Sequence, residues 1–196
     1  SAAEVWAWRE RIGRLLPDDI ELDYVVEPKF DGLTVVLTYT DGVLTLGATR
    51  GNGEIGDDVT PNVRTVRTIP LRIPVNPNGP TPPHRLVVRG EVLMHKRDFE
   101  RLNQQMTDEG LPAYVNARNT ASGTLKQKDA RITASRPLTM YAYAIAYAEG
   151  DVPDTQWERL QYLRALGFRT ANDVIGHFET LEDAVSYVEA YESKRH

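Results

Sequence analysis

The sequence predicts an α+β fold of antiparallel sheets flanked by helices, on three observations. Strand-like runs of alternating apolar and polar residues lie side by side across tight turns, most clearly LTVVLTY and VLTLGAT around Asp41-Gly42. Helical spacing is confined to separate segments and does not follow each strand in turn, which argues against a parallel βαβ order. The composition, 41% apolar and 26% charged over 196 residues, is that of an ordinary soluble core, enough for one large domain.

Taken in order, residues 1–16 space Val5, Trp8, Ile12 and Leu15/Leu16 at helical intervals, and Pro17 stops the helix. LDYVVEPKF (22–30) reads as a strand ending near Lys29, and Asp31-Gly32 turns the chain into the next. Residues 33–50 form a hairpin about Asp41-Gly42. GDDVTPNVRTVRTIP (56–70) reads as a short helix with Asp57 or Asp58 near its N-cap. Residues 74–84 are a proline-rich loop, 85–94 a strand, and 96–110 a helix closed by Gly110. A polar stretch covers 116–136. An aromatic and apolar strand follows at 138–147, then two amphipathic helices opened by Thr155 and Thr180.

The bulk numbers exclude several functions. There is no cysteine, so disulfides, thiolate chemistry and Cys-ligated zinc are excluded, and a reducing compartment is compatible. His84, His95, His177 and His196 lack metal-ligand spacing. No apolar run reaches membrane-span length, and the first residues show no signal-peptide h-region. A net charge of −5 argues against a stand-alone nucleic-acid binder. Arginine nevertheless outnumbers lysine 18 to 5, and Arg50, Arg64, Arg67 and Arg72 crowd one stretch, leaving room for a local anion site.

Against that background EPKFDG stands out, with Lys29 between Glu27 and Asp31. A nucleophilic lysine must lose its proton, and neighbouring carboxylates oppose this unless a cation or bound polyphosphate engages them. A surface Glu-Lys-Asp cluster is the equal alternative. The glycines of ATRGNGEIGDDVT suit a phosphate-wrapping loop around Arg50 or a flexible hairpin exit, and match neither Rossmann nor Walker spacing. Arg89 and Glu91 fall on one side of a strand, where Glu91 either pairs with Arg89 or meets a ligand. Arg118 and Lys126 lie among small residues, and Tyr143 is either core or a wall for a flat base.

Together EPKFDGL, GATRGNGEIGDDVTPNVRTVRTIPLRI, VVRGEV, FERLN, NARNTASGTLKQKDARITASRPL and YAY resemble, in order and over nearly the whole chain, the bacterial NAD-dependent DNA ligases. The resemblance implies a nucleotidyltransferase (ATP-grasp-like) adenylation domain over 18–196, preceded by a linker helix at 1–17 and lacking downstream pocket strands. It implies that Lys29 attacks the α-phosphorus of NAD and holds AMP, with Asp31 in support. Glu27 would lie against adenine, Glu91 would accept from ribose, Tyr143 would stack on the base, and Arg50 and Arg118 would meet ribose or phosphate oxygens. Mg2+, nicked duplex DNA, further N- and C-terminal ligase domains and a cytoplasmic location are implied in the same way. Two departures stand in the motifs: Asn52 where the family usually has aspartate, and Lys126 where it usually has arginine. The alternatives are a nucleotide- or DNA-contacting fragment unable to self-adenylate and, less in keeping with the Arg50 loop, an ATP-dependent ligase or capping-type enzyme.

Overall fold

The computed structural model describes residues 2–17, 20–53 and 55–194. In chain order the elements are α1 (Ala2–Gly13), β1 (Tyr24–Val26), β2 (Leu33–Thr40), β3 (Val43–Thr49), α2 (Thr60–Val63), β4 (Arg85–Met94), α3 (Lys96–Asp108), α4 (Ala117–Leu125), α5 (Ala130–Ala134), β5 (Leu138–Glu149), α6 (Gln156–Ala165), β6 (Gly176–Phe178) and α7 (Leu181–Lys194). They form two compact units, Lys29–Ala171 and a smaller one made of Ser1–Pro28 with Asn172–His196. The α+β architecture with antiparallel sheets is as expected.

The larger unit is a four-stranded antiparallel sheet in the order β3-β2-β4-β5. Its tight hairpin places both Asp41 (φ 49°) and Gly42 (φ 73°) in the left-handed region, the backbone a type I′ turn requires. Strand alternation then sorts the sheet into two faces. Val35, Leu37, Tyr39, Leu86, Val88 and Met140, all fully buried, make one face the core. The other carries Thr34, Glu91 and Tyr141, which lie opposite one another through the β2–β4 and β4–β5 registers. Helices α2, α4 and α6 pack on β3, β4 and β5.

Two helices occupy the polar stretch 116–136. Asn116 and Asp129 cap them, accepting from the backbone N–H of Asn119 and Arg131. Of their buried residues, Thr120, Ala121, Thr124 and Thr133 are small or polar and Leu125 alone is large and apolar, so no apolar stripe shows in the sequence. The short helix α2 begins after Val59, its N-cap, so Asp58 does lie near the cap as expected. Asp58 stands just before it and accepts from the Thr60 N–H and hydroxyl at 2.9 and 2.6 Å. Gly110 (φ 71°) closes α3 as expected.

In the smaller unit β1 pairs antiparallel with β6, Val25 opposite His177, and α7 packs on both. β1 spans only three residues, so Lys29 lies beyond the strand in an irregular segment. Tyr24 is tied to α1 by the Arg9 Nε–H, 2.7 Å from its hydroxyl. His177 and Asp23 hydrogen-bond across the strand ends. The hydroxyl of Thr180 caps α7 through the Asp183 N–H. Among the described residues no helix is long and apolar enough to cross a membrane.

Candidate active site

The turn that carries Lys29 is anchored at each of the three residues after it. The Phe30 ring stacks on Tyr141, 4.5 Å between centroids and 20° between planes. Asp31 accepts from the Arg118 guanidinium at 2.9 Å. Gly32 donates its N–H to Glu91 Oε1 at 3.2 Å. A side chain at position 32 is excluded, because a Cβ there would lie 2.3 Å from the Val92 carbonyl oxygen. Lys29 itself is exposed and makes no hydrogen bond or ion pair among the described residues.

Glu91 is half-buried on the polar face of β4, where a bare carboxylate would be costly. Gly32 holds Oε1, and the Thr34 hydroxyl donates to Oε2 at 2.9 Å. Of the two partners open to it, Arg89 is not the one taken: no Arg89–Glu91 ion pair forms among the described residues, and the Arg89 Nε is buried without a hydrogen-bond partner. Thr34 lies directly across the ladder from Glu91 and so meets it without any reach.

Tyr143 comes from a bulge. Gly90 faces Ala142 but Arg89 faces Ala144, so Tyr143 is the extra residue between them. Burial raises its phenol pKa. The hydroxyl of Thr34 opposes that rise, Glu91 adds to it, and the charges of Arg89 and Arg50 pull it back. Tyr143 is thus electrostatically coupled to Thr34, Glu91, Arg89 and Arg50, and stays protonated at neutral pH. Arg50 is exposed at the end of β3, its N–H donating to the Thr34 carbonyl at 3.2 Å.

The glycine-rich stretch closes on itself beside this face. Thr49 N–H donates to the Asp57 carbonyl and Asp57 N–H to the Thr49 hydroxyl, both at 2.9 Å. Gly51 (φ 53°) passes so near the Ile55 carbonyl that a Cβ would meet it at 1.7 Å. Asn52 Oδ1 accepts from the Ile55 N–H at 2.9 Å, which ties the loop tip. Lys126, at the end of α4, pairs with Asp57 at 2.9 Å.

Six of the seven residues singled out in the sequence therefore belong to the larger unit, and five of them have partners that tie them to one another or to a shared neighbour: Asp31, Arg50, Glu91, Arg118 and Tyr143. The sixth is Lys29, placed by its anchored neighbours. Glu27, half-buried, belongs to the smaller unit. Thr34 was not singled out, yet it touches Glu91 and bears on Tyr143. Its signal was its place on the polar face of the strand after the lysine turn. Among the described residues no three acids or histidines converge as a metal cage. A cleft of about 560 Å³ lined by Arg67, Arg101 and Arg136 lies elsewhere on the larger unit.

The turn that follows the exposed Lys29 is bonded to a sheet face bearing a carboxylate and tyrosine, and its Asp31 holds the Arg118 guanidinium. That set suits a ligand with hydroxyls, an aromatic ring and anionic oxygens. Comparison with known proteins gives the same direction. The chain is 48% identical over 199 residues to a DNA ligase of Chloroflexus aurantiacus, covering 98% of this chain and 28% of that protein. It is 48% identical over 204 residues to a DNA ligase of Roseiflexus sp. and 43% over 194 residues to one of Neisseria gonorrhoeae, covering 28% and 23% of them. The chain thus spans about a quarter of the length of these relatives. The profile of the NAD-dependent DNA ligase adenylation domain matches residues 1–196, so the chain belongs to that family.

Proposed function

We propose that the chain carries the lysine adenylation step of an NAD-dependent DNA ligase, with Lys29 as the nucleophile. The neutral Lys29 amine attacks the α-phosphorus of NAD. A P–N bond forms, the P–O bond to nicotinamide mononucleotide breaks, and the amine proton leaves to solvent or to the departing phosphate. The product is a lysyl-AMP phosphoramidate. In the complete ligase the AMP passes to the 5′-phosphate at a nick in duplex DNA, where the 3′-hydroxyl displaces it.

The observation that carries this reading is the turn after the exposed Lys29, anchored through Gly32 to Glu91, the carboxylate that Thr34 also bonds and that bears on Tyr143. Glu91 would accept from a ribose hydroxyl, Tyr143 would stack on adenine, and Glu27 would lie against the base. Arg50 and Arg118 would face phosphate or ribose oxygens, where cations stabilise charge developing at phosphorus. The Arg118 pair with Asp31 also supports the chemistry, since it engages a carboxylate that would otherwise hold the lysine ammonium. Among the described residues no group of acids or histidines builds a Mg2+ cage. Mg2+ commonly meets a polyphosphate through water and one or two carboxylates, and we assign it to the bound substrate. Residues 1–17 are proposed as a linker helix before an adenylation domain over 18–196, in a cytoplasmic enzyme whose further domains clamp the DNA.

Intact mass before and after incubation with Mg2+ and either NAD or ATP tests the proposal, with Lys29→Ala as control. An AMP-sized gain from NAD, absent in the control, is expected. The same gain from ATP moves the chain to the ATP-dependent branch, and no gain from either makes it a fragment that cannot self-adenylate.

A further inference from the structure

Tyr141 is held from three directions, and the residue it holds is the neighbour of Lys29. Phe30 stacks on its ring at 4.5 Å. The Arg169 guanidinium carbon lies 5.0 Å over the same ring. His95 meets the ring edge-on at 5.9 Å, with its Nε2 3.4 Å from the Tyr141 hydroxyl. Arg169 is not a loose surface arginine. Its carbonyl accepts from the Ala142 N–H at 2.8 Å, which binds its backbone to the strand next to Tyr141. Phe168 and Thr170 on either side are buried.

We propose that Arg169, Tyr141 and Phe30 form a clamp that orients Lys29, with Arg169 as a positioning residue that never touches the nucleotide. Phe30 has only a half-buried site in an irregular segment, and without its stack the turn would be held by Asp31 and Gly32 alone. A ring gripped by a guanidinium offers Phe30 a stationary platform, because the cation and the ring quadrupole attract each other. Fixing Phe30 fixes the backbone direction at Lys29 and leaves only the lysine side chain to move. A nucleophile on such a turn loses less freedom on reaching an in-line position, which speeds reaction without changing how tightly substrate is held. The catalytic part of this inference rests on the Lys29 reading; the clamp itself does not.

The experiment separates the two. Amide hydrogen exchange in the 196-residue chain reads the turn directly. Arg169→Ala should raise exchange at the hydrogen-bonded Gly32 amide about twofold to fivefold, the range of one exposed cation–aromatic contact. Exchange at the core strand amides of Leu37 and Val88 should not change. Arg169→Lys keeps a cation over the ring and should restore much of the protection. Phe30→Ala should act more strongly at the same amide. Where wild type forms lysyl-AMP, Arg169→Ala should lower its rate constant at saturating NAD by a similar factor and leave KM unchanged. Unchanged exchange at Gly32 in both Arg169→Ala and Phe30→Ala overturns the clamp, as does an equal rise across the core. A clamp seen by exchange in a chain that forms no lysyl-AMP upholds this inference and overturns Lys29 as nucleophile in the isolated chain.

Discussion

Gly32→Ala asks whether the Lys29 turn is built around a missing Cβ. The added methyl would stand 2.3 Å from the Val92 carbonyl oxygen and 3.0 Å from the Leu93 Cβ. Val92 cannot give way, because it is fully buried on the inner strand β4 and paired with Leu33. The turn must therefore move by about an ångström, several times the few tenths that well-packed cores absorb. Such a shift breaks the Gly32–Glu91 hydrogen bond, already at 3.2 Å. The steric strain costs about 1–3 kcal/mol, and losing a hydrogen bond to a charged group about 1.5–3 kcal/mol where burial is complete. Glu91 is only half-buried, so water recovers part of the second figure. Alanine also restricts the unfolded chain, which returns about 0.4–1 kcal/mol. The net expectation is a loss of about 2–4 kcal/mol, read as a lower urea midpoint at unchanged slope. The same cycle with Glu91→Gln should be non-additive by about 1 kcal/mol, because both changes act on one hydrogen bond. A cost under about 0.5 kcal/mol, or strict additivity, would refute the reasoning.

Two pH-dependent predictions come from groups away from the site. Tyr39 is fully buried with its hydroxyl donating to the Pro70 carbonyl at 2.7 Å, and burial pushes its pKa far above the ordinary tyrosine value. A raised folded pKa means stability that is complete below about pH 10 and lost as pH rises beyond it. Tyr39→Phe should cost about 1 kcal/mol at neutral pH and unfold with a shallower alkaline dependence than wild type; parallel curves above pH 10 would contradict this. His84, exposed, is raised by its hydrogen bond and charge pairing with Asp41, Nδ1 to Oδ1 2.7 Å. Its contribution is present below about pH 6.5 and lost as pH rises through the folded value. An NMR titration of the imidazole should show a midpoint above the ordinary one, and Asp41→Asn, which keeps the left-handed turn, should bring it back.

What could be read from the sequence was chemistry concentrated in one residue type within one short stretch. The sequence exposes Lys29, Asp31 and Arg50 because each sits beside glycines or acids that a plain strand would not carry. The α+β class was legible for a similar reason, since Asp41-Gly42 between two alternating runs leaves little choice of turn. Partners set by strand register were not legible. Thr34 meets Glu91 because β2 and β4 align Thr34 with Glu91, and a shift by one residue would have turned it to the core. Simple alternation would set Tyr143 opposite Arg89, yet the bulge gives that place to Ala144 and releases the Tyr143 side chain. Arg169 reaches Tyr141 only through a tertiary backbone contact, for which no local pattern exists. The helices at 117–125 and 130–134 were hidden because most of their buried positions are threonine and alanine, which bury without marking an apolar stripe.

The two departures from the family motifs are explained by the contacts those positions make. Position 52 must supply one acceptor to the Ile55 N–H, and an amide oxygen does this as well as a carboxylate. Asparagine therefore keeps the loop closed with a neutral side chain at its tip. Lys126 similarly keeps a charge against Asp57, but as a single point contact and not a two-pronged one. Both groups of that pair are substantially exposed, so its contribution to stability is small. At both positions the contact that closes the loop is thus kept, by the Asn52 amide oxygen on the Ile55 N–H and by the Lys126 ammonium on Asp57.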